Sequence, residues 1–303
     1  MPVSKIELSE NGPEFSRIVY GLWRLNEWDM SRFDVLNRIE ECLDLGITTF
    51  DHADIYGNYE NEAIFGQALH EQPELRDTIE IVTKCGIKLI SDNRLDHGIK
   101  HYDTSKDHII DSVNNSLNNL HTNYIDLLLI HRPDPLMNAD LVAEAFHELK
   151  EAGKVLHFGV SNFTPYQFDL LESRLDFPLV TNQIELSVMN FEALHDGTVD
   201  QCQAYHMPPM AWSPFGGGEL FITDDPKPKR VRTALQQVAS EFDGASIDQI
   251  ALAWLLRHPA NIIPIIGTGK AERIKSAVGS EEFILSREQW YKIWEASAGH
   301  EVP

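Results

Sequence analysis

The sequence predicts a (β/α)8 barrel with an N-terminal β-hairpin and extra C-terminal helices, and three observations support this. Strand-like and helical segments alternate along the 303 residues, which predicts a parallel sheet with crossover helices. Eight such units fill one barrel, whose usual size is about 250 residues. Gly21 to Arg24 follow the first barrel strand, where an open doubly wound sheet carries a glycine-rich fingerprint. We expect one domain, residues 1–303, in which residues 1–17 form a hairpin plug.

The predicted barrel strands are short β-branched or apolar runs, and the fourth is continuously apolar, as in a strand buried on both faces. They cover residues 18–23, 48–54, 79–86, 124–131, 157–162, 180–185, 209–214 and 261–267. The hairpin before them is predicted from Asn11-Gly12 between strand-like flanks.

The helices are predicted from apolar residues with helical periodicity and from their caps. They cover residues 31–45, 62–69, 107–120, 139–152, 165–174, 199–206, 231–242, 247–257 and 272–278. Ser31 is a predicted N-cap and Gly46 a predicted helix stop. Thr164 is a second predicted N-cap, with Pro165 at the first helical position.

Composition and charge exclude several classes of protein. Hydrophobic residues make up 43% and charged residues 24%, as in globular proteins. The chain has 25 Lys and Arg against 47 Asp and Glu, a net charge of −22, which repels nucleic acids and anionic membranes. No apolar run approaches the ~18 residues of a spanning helix, and charged residues within positions 1–20 exclude a signal-peptide core. We therefore expect a cytoplasmic protein without nucleic-acid or membrane partners.

The cysteines and the helix surfaces predict neither a cross-linked nor an assembled protein. Cys42, Cys85 and Cys202 are far apart and odd in number, so neither a disulfide framework nor a zinc site is expected. Cys85 is either an oxidisable thiol or, as we favour, a small buried hydrophobic residue. No helix carries a long exposed apolar stripe, so we expect a monomer.

Polar residues concentrate where the predicted strands end, which in a barrel is the face that carries the chemistry. They are Asp51, His52, Asp54 and Tyr56 after strand two, Lys84 after strand three, His131 and Arg132 after strand four, Ser161 and Asn162 after strand five, Gln183 and Glu185 in strand six, Trp212 and Ser213 in strand seven, and residues 267–273 after strand eight. A purely structural barrel end would not need so many polar groups.

Seven motifs in this order resemble those of the aldo-keto reductases. They are FDHADIYG, VTKCG, LLLIHRPD, FGVSNF, TNQIE, WSPFGGG and PIIGTGKAERI, and they cover nearly the whole chain. The chain is most similar to a bacterial branch of predicted oxidoreductases. The resemblance implies reduction of an aldehyde or ketone to an alcohol with a nicotinamide cofactor, and a small-molecule carbonyl compound as substrate.

The resemblance implies a catalytic tetrad of Asp51, Tyr56, Lys84 and His131. Physical chemistry supports the same roles, because carbonyl reduction needs a proton donor as well as a hydride. We expect a buried Lys84 to lower the pKa of Tyr56, the general acid, and Asp51 to keep Lys84 charged. His131 would orient the substrate oxygen. The opposing interpretation is a structural ion pair among hydrogen-bonded core residues.

The resemblance also implies the cofactor contacts. Ser161, Asn162 and Gln183 would clamp the nicotinamide carboxamide, and Trp212 would stack on its ring. The predicted contacts further include Gly21, Trp23 and Arg24 of the first loop, Ser213, Pro214, Phe215, Gly216 and Gly218 of the loop over the pyrophosphate, and Gly267, Thr268, Gly269, Lys270 and Arg273, which would hold the 2′-phosphate of NADPH. Trp23, Trp28 and Arg132 are predicted to line the substrate pocket.

Several alternatives stay open from the sequence. Residues 215–218 are otherwise a flexible surface loop, and Lys270 and Arg273 ordinary helix-surface charges. A metal-dependent hydrolase would use His52, Asp54 and His131 as ligands, and no metal is expected in our interpretation. A redox-sensing subunit would bind the cofactor and turn over slowly. The physiological substrate depends on variable loops such as residues 89–102, and fold analogy does not name it.

Overall fold

The computed structural model describes residues 2–10 and 12–303. Asn11 of the predicted hairpin turn lies outside these residues. The strands are β1 (Lys5–Glu7), β2 (Glu14–Ser16), β3 (Val19–Gly21), β4 (Thr49–Asp51), β5 (Glu80–Cys85), β6 (Ile87–Lys88), β7 (His101–Tyr102), β8 (Ile125–Ile130), β9 (Val155–Ser161), β10 (Leu179–Glu185), β11 (Met210–Trp212) and β12 (Ile263–Ile266). The pairs β1–β2 and β6–β7 form antiparallel hairpins.

The remaining eight strands form a closed parallel barrel in the order β3, β4, β5, β8, β9, β10, β11, β12. It closes where β12 pairs with β3, with Ile265 opposite Val19 and Ile266 opposite Tyr20. The predicted barrel is therefore confirmed. Because all eight strands are parallel, their carboxyl ends meet at one mouth.

Helices connect the strands and follow the last one. They are α1 (Arg32–Asp44), α2 (Asn61–Glu71), α3 (Lys106–Asn119), α4 (Ala139–Glu151), α5 (Pro165–Glu172), α6 (Thr198–Ala204), α7 (Glu219–Ile222), α8 (Pro226–Ala239), α9 (Ile247–Leu256), α10 (Ala271–Val278) and α11 (Arg287–Ala298). Within the described part of the chain, no helix is long and apolar enough to cross a membrane.

Local signals set the helix boundaries. The Ser31 side chain caps α1 in a capping box with Asp34, and Thr164 caps α5 with Pro165 in its first turn, as predicted. Gly46 ends the first helical segment at a φ of +82°, a conformation that glycine adopts at little cost. The helix expected at 231–242 instead begins at Pro226, because proline is favoured at the first helical position.

Apolar side chains fill the barrel and leave its polar groups to the mouth. The inner cluster contains Val19, Val82, Leu127, Leu129, Val180, Met210, Ile263 and Ile265, and two residues of the β1–β2 hairpin, Leu8 and Phe15, pack against it. Leu8 and Phe15 have no exposed surface. The hairpin thus covers one end of the barrel with apolar groups, and the polar residues at the strands' carboxyl ends face the other.

Candidate active site

Four side chains from three neighbouring strand ends meet at the mouth of the barrel. Asp51 is the last residue of β4 and Lys84 lies in β5, which pairs with β4. His131 follows β8, and its backbone N–H donates to the Cys85 carbonyl, 2.8 Å away. Tyr56 lies in the turn after β4, where its N–H donates to the Ala53 carbonyl. The fold therefore brings the predicted tetrad together.

Lys84 is the centre of this group and is fully buried. Its Nζ lies 2.9 and 2.8 Å from the two Asp51 carboxylate oxygens, 2.6 Å from the His52 carbonyl oxygen and 3.0 Å from the Tyr56 hydroxyl oxygen. An ammonium has three protons, so the two carboxylate oxygens share one of them. Because Tyr56 accepts a hydrogen bond from Lys84, its own proton is left for a further acceptor at the mouth.

The electrostatics of the group correct one prediction. Burial lowers the pKa of Lys84, but Asp51 and Tyr56 outweigh burial and raise it above its usual value, so Lys84 is an ammonium. Burial raises the pKa of the Tyr56 phenol, and Lys84 offsets this only in part. The expected lowering of that pKa is wrong as a net direction, because the loss of water around the phenol outweighs the nearby charge. Tyr56 is protonated at neutral pH.

His131 is buried and neutral. Burial, together with the positive charges of Lys84 and Arg132, holds the pKa of its imidazole well below the usual value. Its ring centroid lies 5.9 Å from that of Tyr56, and within residues 2–10 and 12–303 its Nδ1 has no hydrogen-bond partner. A neutral imidazole offers one N–H donor, which suits it to hold an oxygen beside the Tyr56 proton.

A second set of polar side chains lies on the adjoining strands β9, β10 and β11. Ser161 Oγ donates to the Gln183 carbonyl at 2.8 Å, and Asn162 Nδ2 donates to Ser161 Oγ at 2.7 Å. Trp212 Nε1 donates to Asn162 Oδ1 at 3.0 Å. Gln183 Nε2 donates to Asp51 Oδ1 at 2.7 Å. Because a carboxylate only accepts, this last bond fixes the Gln183 amide and leaves its Oε1 available to a ligand.

The loop after β11 has an unusual backbone at the carboxyl end of its strand. Residues Gly216–Gly218 form a 3-10 turn, and all three have positive φ, as does Ser213 before them. A Cβ added at Gly217 or Gly218 would have no heavy atom within 4 Å, so the backbone there is open to an approaching group. Arg24 of the first loop reaches across to it, with 3.4 Å between its Nη2 and the Gly217 carbonyl oxygen.

The ends of this loop and the segment after β12 differ in exposure. Phe215 packs against two buried clusters and Pro214 is also buried, whereas Gly267 is exposed. Lys270 is the N-cap of α10, without a side-chain cap. Both Lys270 and Arg273 are exposed, so the free N–H groups of the first turn and two cations point to solvent at one helix start.

The residues predicted to line a substrate pocket separate into two groups. Trp23 lies at the mouth and is 58% exposed, with the Arg24 guanidinium 5.2 Å from its ring. The Arg132 guanidinium lies 5.4 Å from the Trp212 ring. Trp28 instead lies against Gly269, and its ring centroid is 5.9 Å from that of Tyr20. Trp28 therefore lies against the segment after β12, and its place in a substrate pocket stays a prediction.

The residues of the alternative hydrolase do not converge. His52 is fully buried beside Phe65, and burial with Lys84 lowers its pKa to about 3. Across residues 2–10 and 12–303, no three His, Cys, Asp or Glu side chains are grouped so as to hold a metal ion. Cys85 is buried, and burial raises the pKa of its thiol well above the usual value, so it is a poor nucleophile.

Two buried acids lie near Lys84, and of these the sequence pointed to Asp54 but not to Glu62. Thr83 Oγ1 donates to Glu62 Oε1 at 2.6 Å, and burial raises the pKa of Glu62. Asp54 lies near Glu62, and burial followed by the Glu62 charge raises its pKa well above the usual value. The only signal for Glu62 was an acid directly before the apolar residues 63–65 of α2.

Comparisons with known proteins agree with this geometry. The model of the Aldo/keto reductase family matches residues 17–298. The chain is 54% identical over 301 residues to the uncharacterized oxidoreductase YcsN of Bacillus subtilis (strain 168), covering 99% of this chain and 100% of that protein. It is 53% identical, with the same coverage, to the oxidoreductase YdhF of Escherichia coli (strain K12).

A third relative and one solved structure extend the comparison. A 6-dehydroglucose reductase of Agrobacterium fabrum is 45% identical over 301 residues, which is 99% of this chain and 100% of that protein. The fold is similar to that of the aldo-keto reductase AKR11C1 from Bacillus halodurans, with a TM-score of 0.81, 23% identity, and coverage of 99% of this chain and 98% of that one. The chain belongs to the aldo/keto reductase family and is an NAD(P)H-dependent oxidoreductase.

Proposed function

We propose that this enzyme reduces an aldehyde or ketone with NADPH and that Tyr56 is its general acid. The observation that carries the proposal is the hydrogen-bond arrangement of Lys84, whose three protons go to Asp51, the His52 carbonyl and the Tyr56 oxygen. Tyr56 is thereby held as an acceptor on one side and a donor on the other. Its proton faces the mouth, where a substrate oxygen would bind.

The chain's own residues account for the proton transfer. The bound reduced nicotinamide supplies the hydride. As negative charge develops on the substrate oxygen, Tyr56 gives up its proton, and the Lys84 ammonium stabilises the phenolate that forms. Asp51 keeps Lys84 charged at a separation of 2.8 Å. The neutral His131 donates its ring N–H to the same substrate oxygen and so fixes the direction of attack.

The residues present fit a nicotinamide dinucleotide. The free Oε1 of Gln183 is an acceptor and would bind the NH2 of the nicotinamide carboxamide. Ser161 and Asn162 would bind the carboxamide oxygen. The open backbone of Gly217 and Gly218 permits close approach of a pyrophosphate. Trp212, placed by its bond to Asn162, presents an aromatic surface next to this clamp.

The preference for NADPH rests on the start of α10. Free N–H groups and the helix dipole favour an anion there, and Lys270 and Arg273 add charge. We expect at least a tenfold advantage of NADPH over NADH, given charge-assisted contacts of ~1.5–3 kcal/mol each. Arg273→Ala should weaken NADPH binding and leave NADH binding nearly unchanged in fluorescence titrations. Lys275→Ala, on the same helix, is the matched control. Equal dissociation constants for both cofactors in the unmutated enzyme would refute the preference.

The general-acid role is tested by Tyr56→Phe. We expect turnover to fall by ~10²–10⁴-fold, the usual contribution of a positioned proton donor, while cofactor binding changes little. Tyr59→Phe is the matched control, because the Tyr59 hydroxyl accepts a hydrogen bond from the Leu89 N–H and belongs to no part of the tetrad. Near-normal turnover of Tyr56→Phe, under conditions where chemistry is rate-limiting, would show that another group supplies the proton.

A panel of carbonyl compounds tests the substrate class of the proposed reductase. Because one relative is named a 6-dehydroglucose reductase, a carbonyl panel should include oxidised sugars beside simple aldehydes and ketones. Loss of reduced-nicotinamide absorbance measures the rate. The same assay separates the enzyme from a redox-sensing subunit. Many turnovers per active site support the reductase, whereas a single turnover with retained cofactor on every carbonyl tested supports the sensor.

A further inference from the structure

The segment that we propose to hold the 2′-phosphate is supported from behind by a chain of side chains that runs from the buried Tyr20 to the exposed Glu41. Tyr20, in β3, is 1% exposed, and its hydroxyl donates to the Thr268 carbonyl oxygen at 2.7 Å. Arg38, in α1, donates through Nη1 to the Tyr20 hydroxyl oxygen at 3.3 Å. The Arg38 Nε also donates to Glu41 at 2.9 Å. The direction of every bond in this chain is therefore fixed.

The bond to Thr268 determines where the next N–H points. In a trans peptide the C=O and the N–H of one peptide group point in opposite directions. Because Tyr20 holds the Thr268 carbonyl toward the protein interior, the Gly269 N–H of the same peptide group faces away from it. In the part of the chain that the structure describes, this N–H donates to no protein acceptor. It lies immediately before the start of α10, beside Lys270.

Trp28 restricts the same peptide group from the side. A Cβ added at Gly269 would lie 2.8 Å from Trp28 Cγ, a distance that atoms do not tolerate. The φ of Gly269 is not in the left-handed region, so the contact with the indole is the reason why this position needs glycine. The segment is thus held by a hydrogen bond on one side and by an aromatic ring on the other.

We propose that Tyr20 is a positioning residue for cofactor selectivity, because its hydroxyl turns the Gly269 N–H toward the 2′-phosphate of NADPH. Arg38 supports this role by directing the Tyr20 proton to Thr268, and Trp28 keeps the peptide group from turning. The inference rests on the proposed phosphate role of residues 267–273. It adds that discrimination between the two cofactors depends on residues that touch neither of them.

The test is Tyr20→Phe, with NADPH and NADH titrated separately by protein fluorescence. We expect the ratio of the two dissociation constants to shift toward equality by about threefold to tenfold, the range that one hydrogen bond contributes, with NADH affinity nearly unchanged. Ser280→Ala is the matched control. It removes another buried hydroxyl-to-carbonyl bond, 2.6 Å to Ala277, near the other end of α10, and should leave the ratio unchanged.

The outcomes are distinct. A preference for NADPH that persists unchanged in Tyr20→Phe would overturn the positioning role and leave the phosphate site standing. A lack of preference in the unmutated enzyme would refute both. If Tyr20→Phe does not fold, Gly269→Ala tests the same peptide group, since its methyl must displace Trp28 or turn the peptide. We expect Gly269→Ala to lose selectivity; a full preference for NADPH in Gly269→Ala would contradict the proposal.

Discussion

Two buried ion pairs, Lys84–Asp51 and Arg76–Asp126, lie at opposite ends of the barrel. At the mouth, Lys84 and Asp51 are 2.8 Å apart with side chains 0% and 4% exposed. At the other end, Arg76 and Asp126 are 2.6 Å apart with side chains 9% and 15% exposed. Arg76 precedes β5 and Asp126 lies near the start of β8, whereas Lys84 lies near the end of β5. The two pairs therefore lie at opposite ends of β5.

The pairs differ in what else they bind. Arg76 gives its remaining donors to fixed acceptors, the Thr122 hydroxyl and the carbonyls of Ile79 and Tyr124, and Asp126 accepts from the Ile81 N–H. The Thr122 hydroxyl in turn donates to the Tyr124 carbonyl at 3.1 Å, so its proton is held within the network. Lys84 gives one donor to Tyr56, whose own proton is free. A buried charge whose partners are all fixed only stabilises the fold, whereas in the proposed mechanism the free proton of Tyr56 lets Lys84 take part in proton transfer.

The largest expected effect is the loss of turnover when both charges of the Lys84–Asp51 pair are removed. In the double variant Asp51→Asn/Lys84→Met we expect turnover to fall by ~10²–10⁴-fold, because Tyr56 loses the charge that stabilises its phenolate. Stability should change little, since replacing a buried pair by neutral side chains is often neutral or stabilising. Turnover assays and urea unfolding measure the two effects. A double variant that loses stability but keeps its turnover would show that this pair stabilises the fold and has no part in the reaction.

Breaking the Arg76–Asp126 pair should instead lower stability and leave turnover unchanged. Arg76→Met leaves Asp126 buried without its partner, and we expect a loss of about 3–5 kcal/mol in the free energy of unfolding, with turnover per folded molecule unchanged. Arg174→Met is the control, because its pair with Asp140 is 44% and 70% exposed and should contribute only ~0.2–1 kcal/mol. Equal losses of stability in the two variants would mean that burial of the pair is unimportant.

The smallest expected effect is the pH dependence of activity, which is set by Tyr56 and His131 at the mouth. The active form has Tyr56 protonated and His131 neutral. Activity should therefore decline only as pH rises through the raised pKa of Tyr56, above its ordinary 10.0, or falls through the lowered pKa of His131, below its ordinary 6.5. We expect kcat/KM for carbonyl reduction to be flat around neutrality. An inflection near 6.5 would show that the imidazole titrates as it does in water.

Much of the fold could be predicted from the sequence because its signals are local. The caps at Ser31 and Thr164 and the apolar run of β8 depend on neighbouring residues alone. The β6–β7 hairpin was missed because two-residue strands carry no periodicity. Residues 287–298 were expected only as extra C-terminal helices, although Ser286 and Gln289 form a capping box before α11.

The site was predictable as a set of residues but not in its energetics. Strand ends located Asp51, Lys84 and His131, because parallel strands bring their carboxyl ends together. The predicted lowering of the Tyr56 pKa was wrong, because the burial that raises this pKa depends on the packing of the whole mouth. The link from Tyr20 to Thr268 crosses 248 positions of sequence, and no local pattern marks such a contact.

The closure of the barrel also bears on how the chain is made. Arg17 donates to the carbonyls of Asn261 and Ile262, each at 2.6 Å, and Arg17 and Ile262 are 245 positions apart. During synthesis on a ribosome, β3 is finished long before its partner β12 exists. Until then β3 has an unpaired edge, which invites association with other chains. Newly made protein should therefore be most vulnerable to aggregation shortly before the last strand emerges, and a cell that overproduces it would gain most from chaperones that shield that edge.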